Sequence, residues 1–98
     1  MNFDLIIVSK AEQELFEAIY WYENKRKGLG EEFMLCIEAS FERIMRQPET
    51  YPFVYKNIRR VLVKRFPYCV FYTIHKNEIA ILAIFHAHRD PNQWQKRF

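Results

Sequence analysis

The order of elements in this chain predicts an α+β fold, β-α-α-β-β-β, with a helical hairpin packed on one face of a mostly antiparallel four-stranded sheet. Three observations carry that expectation. Two stretches of helical periodicity sit side by side between residues 9 and 47, with only a glycine-containing break between them. Three β-rich segments follow Pro48 in close succession, and one short β-branched segment precedes the helices. With 98 residues, half of them apolar, the chain is sized for one core, so residues 1–98 read as a single domain.

Residues 3–8 (FDLIIV) are short and β-branched and read as the first strand. Ser9 with Glu12 three positions on has the pattern of a capping box, which opens a helix there. Ala11, Leu15, Ala18, Ile19 and Tyr22 recur at helical spacing until Lys25, Arg26, Lys27 and the breakers Gly28 and Gly30. Phe33, Ile37, Ser40, Phe41 and Ile44 form the stripe of a second helix, which Pro48 stops. So short a connection makes the two helices an antiparallel hairpin.

Residues 49–57 (ETYPFVYKN) read as an aromatic-rich loop, followed by strands over 58–65, 69–75 and 78–87. Lys76 and Asn77 fit a tight turn, with Asn77 suited to the left-handed conformation. Pro67 lacks a donor and belongs at a strand start or bulge. Asp90 before Pro91 is an N-cap with proline at the first helical position, opening a short helical turn.

Composition narrows the function. A formal charge of +3 conceals a split: residues 1–50 hold six Lys/Arg against ten Asp/Glu, or −4, and residues 51–98 hold nine against two, or +7. The sheet-forming half therefore has the make-up of a polyanion-binding surface. The longest apolar run, residues 79–85, is far shorter than the ~20 residues a membrane helix needs, and no secretory leader pattern opens the chain. A cytoplasmic protein without membrane partners is expected, with Cys36 and Cys69 as reduced core side chains. A nucleophile elbow, a glycine loop for nucleotides and paired catalytic carboxylates are all missing from the sequence.

Period-2 alternation in the segment 58–65 and in the last β segment sets Arg60 and Lys64, together with His86 and His88, on the face the helices leave bare. Arg89 and Trp94 lie at its rim. Guanidinium and ammonium groups bind phosphate, and imidazoles can take and return a proton, so the set suits scission of an RNA phosphodiester by the neighbouring 2′-hydroxyl. Tyr55, Tyr68, Tyr72 and Trp94 offer ring faces for splayed bases. The plainer alternatives are a solvated sheet face, strand-end histidines and core aromatics. His75 at the turn is misplaced for a third ligand, so neither a metal nor any other cofactor is expected. The remaining acidic residues, Glu31 and Glu32 included, read as solvated helix faces and helix N-terminal charge.

Ala11-Glu12-x-Glu14-Leu15, Tyr20-Trp21-Tyr22-Glu23, Gly28-Leu29-Gly30 with Phe33, the loop from Pro48 to Pro52, Ile58-Arg59-Arg60, Arg65-Phe66-Pro67-Tyr68 with Phe71-Tyr72, and His86-x-His88-Arg89-Asp90-Pro91-x-x-Trp94 follow in order along nearly the whole chain. In that order they resemble the RelE/ParE superfamily of toxins from type II toxin-antitoxin systems, with wording nearest its plasmid stabilisation branch. The resemblance implies the same hairpin-on-sheet fold, a growth-inhibiting toxin and a cognate antitoxin that wraps around it; the charge split and the open sheet edges in turn predict an acidic antitoxin segment laid over the basic face or added to a sheet edge. RelE-like members cleave mRNA on the ribosome without a metal; ParE-like members poison DNA gyrase and lack the nuclease set. Carried over by position, Arg60, Lys64 and Arg65 match the basic sheet residues, and His86, His88 and Arg89 the late catalytic ones. Lys56, Arg59, Tyr68, Trp94 and Arg97 complete the expected nucleic-acid contacts, while Arg97-Phe98 stands where a late Tyr is often found. The leading expectation is thus a ribosome-dependent endoribonuclease, with a gyrase inhibitor or an inert antitoxin-binding fold as alternatives.

Overall fold

A computed structural model describes residues 2–98, the Trp94 side chain excepted. Strand β1 (Asp4–Ile7) runs directly into α1 (Ser9–Lys25), which folds back as α2 (Leu29–Arg46). Strands β2 (Phe53–Tyr55), β3 (Ile58–Leu62), β4 (Tyr68–His75) and β5 (Glu78–His86) follow, and α3 (Pro91–Arg97) closes the chain. The sheet has the order β1-β5-β4-β3-β2, antiparallel throughout except for the parallel β1–β5 pair. The α+β class and the hairpin over one face hold. The sheet has five strands instead of the expected four, because part of the aromatic-rich loop pairs with β3 as β2.

The start of α1 differs from the capping-box expectation. Val8 donates its N–H to Ile81 O at 3.1 Å, which holds it extended, so Val8 is the N-cap and Ser9 is already helical. With Ser9 one residue too late to cap, the helix has no side-chain cap hydrogen bond. At the far end of α1, Glu23 does that task for α2. Its carboxylate accepts from the N–H groups of Gly28 and Gly30, each at 2.9 Å, which are donors a helix start leaves unpaired. These bonds hold the Glu23 carboxyl below its ordinary range. Gly28 bridges the helices in the left-handed region (φ +90°). Gly30 lets them touch: a Cβ there would lie 2.7 Å from Ile19 O.

Between the helices and the sheet lies the main core, in which Phe33, Ile37, Ile44, Val70, Tyr72, Ile79 and Ile81 are all fully buried. Each such side chain contributes about 1.5–3 kcal/mol by leaving water. The Tyr72 hydroxyl donates to Pro48 O at 2.6 Å, pinning the end of α2 to the sheet. A second, smaller cluster of Ile58, Cys69, Phe71, Ala83 and Phe85 occupies the other sheet face, where Phe98 and Val54 pack on it. The face expected to be bare is therefore partly covered.

Two local features also depart from expectation. Strand β3 stops at Leu62, and residues 64–67 form a bend in which Arg65 is left-handed (φ 71°). In the β4–β5 turn the left-handed residue is Lys76 (φ 57°), not Asn77. No helix among the described residues is long and apolar enough to cross a membrane.

Candidate functional site

The register of β5 decides where the histidines point. Tyr72 pairs with Ile81 and Phe71 with Ala83, so Leu82 is an extra residue, a bulge, on β5. Ile79 and Ile81 face the helices; after the bulge Ala83 and Phe85 lie in the opposite cluster, and Ile84 returns to the helix side. His86, opposite Tyr68, follows Ile84. His86 therefore sits on the side of the helices, whereas Arg60, opposite Phe71 on β3, sits on the other. The two do not share a face, and the reason is the one-residue bulge.

On the helix side His86 and His88 form the lip of a cleft of about 610 Å³ with the outer surface of α1. Glu17 and Trp21 line one wall; Tyr22, Tyr68 and Arg89 complete it. The His86 and His88 rings are 5.4 Å apart, and the Tyr68 ring is 5.4 Å from His86. His86 Nδ1 accepts from the His88 N–H at 3.2 Å, so the neutral ring carries its proton on Nε2. Burial in the aromatic cluster with Tyr22, Phe33 and Phe66 pushes the Tyr68 phenol up, leaving it a proton donor at neutral pH. Trp21 is half-exposed, edge-on to Tyr22, with Lys25 Nζ 4.6 Å above its ring. The arrangement offers aromatic surface, two imidazoles and one guanidinium around a single cleft.

The other expected site residues are dispersed. Arg65 pairs with Glu32 at 2.8 Å, and Arg26 reaches the same carboxylate at 3.0 Å; these exposed contacts hold the Glu32 carboxyl low. Arg97 pairs with Glu14 and donates to Leu82 O at 2.7 Å, with its guanidinium 5.0 Å from the Phe85 ring. Glu14 also accepts from the Ile84 N–H at 3.1 Å. This pair thus satisfies backbone groups at the bulge and just after it. Arg59 donates to Glu49 O at 2.9 Å and Tyr51 O at 2.6 Å, which ties down the loop after α2. Lys64 is exposed on the bend, and Lys56 lies over the Tyr55 ring at 5.0 Å. The Arg89 guanidinium stacks 4.3 Å from Phe85. Trp94, expected at the rim, has its side chain outside the described residues. Of the six residues expected to be catalytic, His86, His88 and Arg89 come together in the cleft.

Glu14, Glu17 and Trp21 were not singled out from sequence as site residues. A signal was present in the adjacent aromatics Tyr20 and Trp21, which cannot both face the core of one helix; both are exposed, Tyr20 at 71%.

A family model described as the ParE toxin of type II toxin-antitoxin system, parDE, matches residues 5–91. The chain belongs to the ParE toxin family. Toxin ParE2 of Mycobacterium tuberculosis, from strain CDC 1551 / Oshkosh and from strain H37Rv alike, is 29% identical over 82 residues, which span 83% of this chain and 78% of the relative. The solved structure titled chromosomal ParDE TA system from P. aeruginosa aligns with TM-score 0.67 at 17% identity, over 88% of this chain and 97% of that one, a likeness of fold. As a ParE-family toxin of a type II system, the protein has an antitoxin as partner. The superfamily expected from the sequence motifs is the one found.

Proposed function

We propose that this ParE-family toxin arrests growth by binding DNA gyrase, and that it does so through the cleft between α1 and the His86–Arg89 segment, without cutting RNA. The observation that supports this reading is the separation of the cations an RNA-cleaving site would need. Arg60 lies across the sheet from His86, and Arg65 and Arg97 are committed to Glu32 and Glu14. A scissile phosphate at the imidazoles would meet Arg89 alone among the six expected catalytic residues' cations, too little positive charge to stabilise a phosphorane. A protein target asks instead for an aromatic anchor with a polar rim, and Trp21 flanked by Glu17, Lys25 and the histidines provides one.

The competing reading, a ribosome-dependent endoribonuclease in the cytoplasm, draws on one observation: His86, His88, Tyr68 and Arg89 share the cleft. Expression of the His86→Ala/His88→Ala double variant without antitoxin separates the two. Retained growth arrest, at most a fewfold weaker because the histidines are rim contacts of the cleft, with no new mRNA ends by primer extension, is the expected result. Loss of arrest together with loss of discrete mRNA ends in the variant would establish cleavage instead.

A further inference from the structure

The cleft between α1 and the His86–Arg89 segment is unevenly supplied with hydrogen-bonding groups. Two carboxylates line it, and both are engaged: Glu14 accepts from Arg97 and from the Ile84 N–H at 3.1 Å, and Glu17 accepts from Gln13 Nε2 at 3.0 Å. The donors are in the opposite condition. Arg89 is exposed and takes part in no ion pair among the described residues. The Tyr22 and Tyr68 hydroxyls are held protonated by burial, not by a hydrogen-bond partner, and His86 keeps its Nε2–H for an incoming group.

Phe85 prepares Arg89 for recognition. The Arg89 guanidinium lies 4.3 Å from that ring, and Arg97, 5.0 Å from the same ring, is neutralised by Glu14. Stacking removes water from one face of the Arg89 guanidinium and restrains its plane, while its N–H edges stay free to bind. Donors without acceptors select a group that only accepts. A carboxylate is such a group, with two oxygens matched to the guanidinium fork and a single charge equal to the one left uncompensated. A nucleic-acid backbone fits less well, since it would bring successive phosphates against Glu17 and Glu14 with Arg89 as the one unpaired guanidinium in the cleft.

We infer that the cleft receives an Asp or Glu side chain of gyrase, which Arg89 recognises through a bidentate ion pair while apolar surface of the same segment packs on Trp21. This rests on the gyrase reading and adds the chemistry of the group the cleft selects. The His86 Nε2–H and the Tyr68 hydroxyl are auxiliary neutral donors, each weaker than the charged pair.

Purified gyrase tests this with the parent toxin and the Trp21→Ala, Arg89→Gln and Arg89→Lys variants, by inhibition of supercoiling and by binding with and without DNA. Arg89→Gln is expected to lose about tenfold or more in potency, and Arg89→Lys about three- to tenfold, because an ammonium keeps the charge and not the fork. Carbodiimide joins an ammonium to a carboxylate in contact with it, so it is expected to link position 89 of the Arg89→Lys variant to an acidic residue of DNA-free gyrase. A parent toxin that leaves gyrase unimpeded would overturn the gyrase reading and this inference together. Inhibition by the parent that Trp21→Ala weakens and Arg89→Gln leaves unchanged would overturn the inference alone. A dependence on Arg89 confined to DNA-bound gyrase, with no cross-link in the absence of DNA, would assign the anion to a phosphate and overturn it as well.

Discussion

Replacing Arg97 by Ala removes the link that joins α3, α1 and the β5 bulge. Its guanidinium pairs with Glu14, donates to Leu82 O at 2.7 Å and lies 5.0 Å from the Phe85 ring, with side-chain exposures of 21% for Arg97 and 13% for Glu14. Breaking a fully buried pair from one side costs about 3–5 kcal/mol, and an exposed pair less than 1. A sheltered but hydrated pair falls between, so Arg97→Ala should cost about 2–3 kcal/mol, mostly because the Glu14 carboxylate and the Leu82 carbonyl lose their partner. Glu14→Gln keeps an acceptor for the Ile84 N–H, 3.1 Å away, and should cost about 1 kcal/mol. In a chain of this size 1 kcal/mol moves Tm by roughly 4–8 °C, so Arg97→Ala should melt at least about 10 °C lower. Urea unfolding of the single variants and the Glu14→Gln/Arg97→Ala double variant gives the coupling directly. A coupling of about 1 kcal/mol or more is expected; additivity within about 0.3 kcal/mol would show that the pair does not hold the bulge and would refute the reasoning.

Gly30→Ala would drive a methyl to 2.7 Å from Ile19 O, so it should destabilise by about 1–3 kcal/mol in spite of alanine's better helix propensity; a stabilised variant in urea unfolding would contradict the close helix contact. Burial pushes the Tyr72 phenol up from 10.0 to about 12, although Arg59 acts in the opposite sense. Because the folded value exceeds the unfolded one, its contribution is complete below pH 10 and lost as pH rises toward 12. Tyr72→Phe should therefore cost about 1–2 kcal/mol at neutral pH, through the unpaired Pro48 carbonyl, and flatten the alkaline fall in stability. Equal alkaline slopes for parent and variant would refute that assignment.

Long elements with consistent periodicity were legible before the structure. Leu15, Tyr22, Phe33 and Ile37 mark the helix faces that build the main core. What escaped were features without a local signature. The bulge at Leu82 falls in a run of seven apolar residues without Gly or Pro, so strict alternation carried His86 to the wrong face. Strand β2 is three residues beside Pro52, too short for a pattern to emerge. The role of Glu14 depends on a residue 83 positions away, which a helical pattern of charge cannot distinguish from a solvated face. Charge composition located the basic half but not its pairing, and Glu32 and Glu14 tie up two of its guanidinium groups.

The central claim is that this ParE-family toxin works by binding and not by catalysis. Supercoiling by purified DNA gyrase, measured with increasing parent toxin and with the His86→Ala/His88→Ala variant, tests it most directly. The account predicts inhibition by both proteins, the variant at most a fewfold weaker through its lost rim contacts, and a loss of about tenfold or more in potency for Trp21→Ala. Unimpeded supercoiling at every toxin concentration, while the same preparation cuts ribosome-bound mRNA, would contradict it.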